Sequence, residues 1–341
     1  MHNSSVVVAI LSFATLVAGA ERKIVITGAD RQAWAFNDRA MREYRAAAKD
    51  VNFVMATSPA DLAREITDAD AVIGGIARDL FPKARKLKWV QSYSAGVEDY
   101  NWKEFVESDV VLTNCKIVQG PNIADHAMAM LLALTRGLNR YIPGKVKEEW
   151  DRGGEGLQEL QDMTAVIIGV GGIGSQIAQR AHGFGMKVIG VDPKDMPPSL
   201  NVSRMVYPYQ LDTVLPLADV VFVAAPLTSE SRRMVGQRQF DLMKRNSYFI
   251  AVSRGGLYDT NALMKALDGK RLAGAGLDVT DPEPLPKGHA LWKFPNVVIT
   301  PHVAGTSPGS HNRRVGVIRE NILRFARGEP LINVVDKRKG Y

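Results

Sequence analysis

Ala165-Val166-Ile167-Ile168-Gly169-Val170-Gly171-Gly172-Ile173-Gly174 is the stretch that decides the fold. Four apolar residues run directly into a G-x-G-x-x-G hexapeptide, and Ile173, Ile177, Ala178 and Ala181 then repeat on one face at helical spacing. The hexapeptide alone is a weak signal, but strand, glycine turn and helix in this order open a βαβ unit that binds a dinucleotide. Gly169, Gly171, Gly172, Ile173 and Gly174 are therefore candidate cofactor residues. The turn is tight, the backbone must approach the pyrophosphate, and the helix N-terminus offers free N–H groups to the phosphates. The following strand, Lys187 to Val191, ends at Asp192, whose carboxylate can accept both ribose hydroxyls of NAD and repels the 2′-phosphate of NADP. NAD is the expected cofactor and NADP the less favoured one, with Lys194 as the group that partly offsets the repulsion.

Outward from this unit, short Val- and Ile-rich runs alternate with longer helical stretches, the pattern of parallel sheets with crossover helices. Before it lie Lys23 to Thr27, Val51 to Met55, Ala71 to Gly74, Trp89 to Ser92 and Val110 to Thr113. After it come Asp219 to Ala224, Tyr248 to Val252, Gly274 to Asp278 and Val297 to Thr300. A helix from Asn122 to Arg136 divides the two series, and Lys145 to Gly156 reads as surface. The fold class is α/β, with two doubly wound parallel-sheet domains of Rossmann and flavodoxin-like type.

The 341 residues are 46% hydrophobic and 23% charged, ordinary for a globular chain of two domains. The net charge of +7 is dispersed among acids rather than gathered in a basic run, which argues against a nucleic-acid partner and agrees with a small anionic one. Cys115 is the single cysteine, so no internal disulfide forms. The six histidines show no H-E-x-x-H or comparable spacing, and no metal is expected. His126, His182, His289 and His311 read as helix or loop residues without chemistry.

Residues 1–20 carry an apolar stretch from Val6 to Ala18 and end in Ala18-Gly19-Ala20, the small-x-small pattern of a cleaved secretory leader, which is too short to span a bilayer comfortably. The expectation is export, with no membrane association after leader removal. A cytoplasmic protein with a mis-assigned start is the alternative, since Met1 to Ser5 lack Lys and Arg.

Downstream of the glycine motif, three expected strands end in polar residues. The runs are Val252-Ser253-Arg254-Gly255-Gly256-Leu257-Tyr258-Asp259, Leu277-Asp278-Val279 with Glu283-Pro284-Leu285-Pro286, and Pro295-Asn296-Val297 with Thr300-Pro301-His302. Together with Ala225-Pro226-Leu227-Thr228, Ser94-Ala95-Gly96-Val97 and Asn333-Val334-Val335-Asp336, they resemble the signatures of the D-isomer-specific 2-hydroxyacid dehydrogenases in order and spacing. The likeness covers essentially everything after residue 21.

That resemblance implies an NAD(P)-dependent enzyme interconverting a small 2-oxo acid and its D-2-hydroxy acid. Arg254 would bind the carboxylate, His302 would act as general acid and base, and Glu283 would orient it. Backbone N–H groups of Ser94, Ala95, Gly96 and Val97 would complete the substrate site, and Asp278, Ala225 and Pro226 would line the cofactor. After the leader at 1–20, which is itself a departure because most relatives are cytosolic, the family organisation implies a discontinuous substrate-binding domain at 21–118 plus 303–341 and a cofactor domain at 119–302. The active site would lie in the cleft between the domains of a homodimer.

Three residues depart from the family pattern: Gly172 stands where many members carry Arg, Thr280 replaces an aromatic residue, and Asp125 replaces Glu. A formate- or phosphite-type dehydrogenase on the same scaffold and a non-enzymatic NAD sensor are the rival readings. The absence of room for a further regulatory domain favours a glyoxylate or hydroxypyruvate type of reductase.

Overall fold

The computed structural model describes residues 22–28, 33–195, 197 and 199–341. The expected leader at 1–20 lies outside the described residues. Two parallel sheets form the frame. The first holds β1 (Arg22–Thr27), β2 (Val51–Ala56), β3 (Ala71–Ile73), β4 (Trp89–Gln91) and β5 (Val111–Thr113) in the order β2-β1-β3-β4-β5. The second holds β6 (Thr164–Ile168), β7 (Lys187–Val191), β8 (Arg204–Val206), β9 (Val220–Val223), β10 (Ser247–Ala251), β11 (Leu272–Leu277) and β12 (Val297–Ile299) in the order β12-β11-β10-β9-β6-β7-β8. These are the flavodoxin-like and Rossmann strand orders.

The strands read as unbroken apolar runs because both faces of each sheet are covered. Along β6, Ala165 and Ile167 face the helices Gly120–Thr135 and Gly174–Gly183, while Val166 and Ile168 join Leu263, Ala266 and Leu267 of the helix Thr260–Asp268 on the other side. In the first sheet, Ile24 and Ile26 pack with Met41 and Tyr44 of the helix Asp38–Ala47 and with Ile318 and Ile322 of the helix Pro308–Arg327. The last helix thus crosses back from the second sheet to close the core of the first.

The second series contains seven strands, one more than the sequence reading expects. β8 (Arg204–Val206) was not anticipated because its three residues carry a charge at the start and only Val206 is buried. The dividing helix is Gly120–Thr135, with Pro121 in its first turn, where a missing N–H costs nothing. Residues 145–156 are exposed throughout. Among the described residues no helix is long and apolar enough to cross a membrane.

Two segments connect the sheets, and they are tied to each other. Gln119 Nε2 donates to the carbonyl of Gly305 at 3.1 Å, Asn122 Nδ2 to that of Ala304 at 2.7 Å, and Arg313 Nε to that of Val118 at 2.6 Å. The C-terminal ends of β4, β6, β7, β9, β10, β11 and β12 are followed by the segments that carry every candidate site residue. Strand C-termini are where open α/β sheets bind ligands.

Candidate active site

The glycine turn sits where the strand order of the second sheet reverses, between β6 and β9. Gly169 has φ +88°, and a Cβ on it would lie 2.5 Å from Ala225 Cα; one on Gly174 would lie 1.9 Å from the carbonyl oxygen of Gly169. These two glycines are therefore required by the protein's own packing, which also brings the Ala225-Pro226 turn against the loop. Gly171 is different: a Cβ there would meet nothing within 4 Å. The bare, open backbone at Gly171, beside the N-terminus of the helix Gly174–Gly183, fits a dinucleotide pyrophosphate.

Gly172 has a local cause too. A Cβ on it would come within 2.9 Å of Ile117 Cα in the first crossing segment, and Ile117 itself adopts φ +78°. Asp192 is nearly buried. Its Oδ2 accepts from the N–H of Val170 at 2.9 Å and its Oδ1 from that of Lys194 at 3.0 Å, so it fastens the end of β7 to the glycine turn. A carboxylate has about four acceptor positions, so roughly two remain for ribose hydroxyls. The Lys194 ammonium lies 4.4 Å from the centre of the Tyr341 ring.

Along the same C-terminal edge of the second sheet, beyond its β10–β12 half, Arg254, Glu283 and His302 line one cleft of about 490 Å³ together with Glu98, Asp99, Leu227, Arg232 and Thr280. His302 Nδ1 is 2.5 Å from Glu283 Oε1. An ionised carboxylate only accepts, so Nδ1 carries the proton in this pair. His302 Nε2 has no partner among the described residues. It is Glu283, not Asp281 of the same turn, that meets the imidazole.

The conformation of His302 is held from beneath. Its φ is +54°, uncommon for a non-glycine residue. The buried Asp278 carboxylate accepts three hydrogen bonds from this turn: from Thr300 Oγ1 at 2.6 Å, from the N–H of Val303 at 3.0 Å and from that of Ala304 at 3.0 Å. Its backbone carbonyl accepts from the N–H of His302 at 2.9 Å. About one acceptor position of the carboxylate is left for a cofactor group. His126 Nε2 lies 2.9 Å from Thr300 Oγ1 and 3.6 Å from Asp278 Oδ1.

His126 lies in the helix Gly120–Thr135, and the structure adds a contact to the network under the site that the sequence reading does not include. No local pattern marks it, because its partner Thr300 is 174 positions away.

The substrate-loop residues come from the first sheet. The N–H of Ser94 is spent on Ser92 Oγ at 3.1 Å, whereas those of Ala95, Gly96 and Val97 find no acceptor among the described residues. Gly96 touches the second sheet directly: a Cβ there would fall 1.9 Å from Arg254 Nη2. Arg254 also meets Glu98, with Nε to Oε1 at 2.9 Å, a contact missed in the sequence because the partners lie 156 positions apart.

The other two departures are accommodated. Asp125 pairs with Arg180 at 2.6 Å, and Thr280 Oγ1 donates to the carbonyl of Pro282 at 2.9 Å. Cys115 is buried, and burial pushes its thiol up to about 12, so no thiolate nucleophile is available there.

This geometry makes Asp278 the support of the His302 turn. Asp278→Asn would place an amide N–H₂ against donors it now accepts from. We expect a loss of about 1–3 kcal/mol in a denaturant titration, as for an unmatched buried polar group, and a fall of about a hundredfold in the rate of nicotinamide oxidation through misplacement of His302. A variant with both quantities unchanged would show that the turn holds itself.

With the geometry established, comparison with known proteins gives a consistent picture. The family described as D-isomer specific 2-hydroxyacid dehydrogenase, NAD binding domain, matches residues 128–304. A glyoxylate reductase of Korarchaeum cryptofilum is 34% identical over 283 residues, covering 80% of this chain and 84% of that protein. An NADPH-dependent glyoxylate/hydroxypyruvate reductase from Sinorhizobium meliloti, solved with NADP and sulfate, superposes with a TM-score of 0.78 at 28% identity over 94% of this chain and 100% of that one. A D-lactate dehydrogenase from Aquifex aeolicus, solved with NAD and lactic acid, gives a TM-score of 0.74 at 25% identity, over 92% of this chain and 99% of that one.

Proposed function

The chain belongs to the D-isomer-specific 2-hydroxyacid dehydrogenase family, and from that premise we propose that it reduces a small 2-oxo acid to the D-2-hydroxy acid with Arg254, Glu283 and His302 as its working residues. The observation that carries this reading is the imidazole held on Glu283 at 2.5 Å, its Nε2 without a partner among the described residues, in the same cleft as Arg254. Reducing a 2-oxo acid requires a cation for the carboxylate, a proton for the carbonyl oxygen and both at fixed distance from the reacting carbon.

Arg254 supplies the cation. Its planar fork suits a carboxylate, and the loop that carries the N–H groups of Ala95, Gly96 and Val97, for which the described residues offer no acceptor, packs against the guanidinium at Gly96 and would add donors for the same anion. His302 delivers the proton from Nε2 to the developing alkoxide and takes it back in the reverse direction. Glu283 fixes the tautomer and stabilises the imidazolium form while the proton is held. A bound nicotinamide supplies or accepts the hydride. The glycine turn Gly169–Gly174 and Asp192 would hold its dinucleotide. NAD is the preferred form because the Asp192 carboxylate repels an added 2′-phosphate. The glyoxylate reductases among the relatives support glyoxylate or hydroxypyruvate as the substrate.

Assembly and export belong to the same proposal. Ile142 and Val146, one turn apart on the helix Leu138–Val146, and Trp150 just beyond its end are exposed, Val146 at 83% and Trp150 at 87%. Such a patch favours a homodimer through the cofactor domain. Val146→Glu should convert a dimer to a monomer in sedimentation, and a wild-type monomer would contradict this. Cleavage after Ala20 would leave the mature chain beginning just before β1, without loss to the sheet. Amino-terminal sequencing of protein recovered from the host should begin at Glu21, and an intact Met1 would favour the cytoplasmic reading.

The activity is tested by following NADH and NADPH oxidation with a panel of 2-oxo acids. His302→Ala should lower kcat by about 10²- to 10⁴-fold, the range for a lost general acid. Arg254→Lys should raise KM by about tenfold or more, because an ammonium cannot reproduce the fork. Intact NADH binding with no 2-oxo acid reduced would shift the assignment to an NAD sensor.

A further inference from the structure

Glu98 opens the short turn Glu98–Tyr100 directly after the Ser94–Val97 loop, and its carboxylate reaches across the cleft to the side of the Arg254 guanidinium. Oε1 accepts from Nε at 2.9 Å and Oε2 from Nη2 at 3.4 Å. A third proton goes from Nη1 to the carbonyl of Ser253 at 2.8 Å. A guanidinium has five N–H donors, so one remains on each terminal nitrogen. Together these make up the end of the fork that Glu98 leaves alone.

We propose that Glu98 is a positioning residue for substrate recognition: by occupying the Nε–Nη2 side of Arg254, it confines the 2-oxo acid carboxylate to the Nη1–Nη2 end, opposite the free N–H groups of Ala95, Gly96 and Val97. The proposal rests on the reading of Arg254 as the carboxylate-binding residue.

Two further features support it. First, a Cβ on Gly96 would lie 1.9 Å from Arg254 Nη2 and 2.5 Å from Glu98 Oε2. Loop, carboxylate and guanidinium are packed as one unit that has no space for a side chain at 96. Second, the two side chains are 37% and 31% exposed, so the pair is partly withdrawn from water, where the direction of a charge-assisted hydrogen bond matters more than at a free surface. The same contact joins the two sheets and holds the cleft walls in register.

Charge and positioning predict opposite effects. A carboxylate beside Arg254 opposes an anionic substrate, so if Glu98 acted by charge alone, its removal would tighten binding. If it aims the fork, its removal frees the rotamers of a long side chain and loosens binding.

The test is calorimetric titration of oxamate, an unreactive 2-oxo acid analogue, into the NADH complex of the wild type, Glu98→Ala and Glu98→Gln, with KM and kcat measured alongside. Glu98→Ala is expected to weaken oxamate binding and raise KM by about tenfold, the size of one charge-assisted hydrogen bond. The loss should fall on KM more than on kcat, with NADH affinity retained. Glu98→Gln keeps an acceptor for Nε and should lose less.

Oxamate bound as tightly as in the wild type, or more tightly, overturns the proposal. Should Glu98→Ala fail to bind NADH through misfolding, the same comparison on Glu98→Gln decides. A wild-type NADH complex that neither binds oxamate nor reduces any 2-oxo acid would remove the reading of Arg254 itself, and this proposal with it.

Discussion

The buried carboxylate of Asp278 is the interaction on which the site depends. It stands at the end of β11 and binds three donors of the turn that follows β12, so the edge of the second sheet cannot slip without exposing an unmatched charge. A buried carboxylate is tolerated only when its acceptor positions are filled. Filling them fixes the left-handed backbone of His302 and turns its imidazole toward Glu283. The next residues, Ala304 and Gly305, are gripped by Asn122 and Gln119, so the same turn also anchors the connection to the first sheet. The proposed proton donor and the joint between the two sheets are held by one carboxylate.

The cleft is shared between the sheets in a chemically sensible way. The second sheet contributes Arg254, Glu283 and His302 from the ends of adjacent strands β10, β11 and β12. The first contributes the N–H groups of Ala95, Gly96 and Val97, which have no partner among the described residues, and the carboxylate of Glu98, all after β4. On the proposed reading a carboxylate substrate would bridge the two halves, and the approach of the loop to Arg254 is possible only because residue 96 lacks a side chain. On that reading, bringing the two walls together and recognising the substrate would be one event, which would also exclude water from the proton transfer.

Much of this was legible in the sequence because it is written in local patterns. The strand-glycine-helix order at 164–183 fixed the second sheet, and the apolar runs marked all five strands of the first and all but β8 of the second. The strand ends pointed to a ligand site, and their resemblance to the dehydrogenase signatures singled out Arg254, Glu283 and His302, which the structure brings into one cleft. What escaped is non-local or lacks contrast. β8 is three residues long and half-exposed. Glu98 and His126 acquire their partners only through folding, across 156 and 174 positions. Gly172 stands where many family members carry Arg, and the cause is equally distant in the chain: the backbone of Ile117 in the crossing segment leaves little space for a side chain there. Periodicity reports burial, and it is silent about which distant polar groups meet.

The most direct test of the account is a crystal structure of the protein with NADH and oxamate bound together. The account predicts the oxamate carboxylate between the terminal nitrogens of Arg254 and the N–H groups of Ala95, Gly96 and Val97, its amide carbonyl oxygen within hydrogen-bonding distance of His302 Nε2, and Glu283 still on Nδ1. Oxamate bound away from Arg254, or a His302 turned off Glu283 toward solvent in the ternary complex, would contradict it.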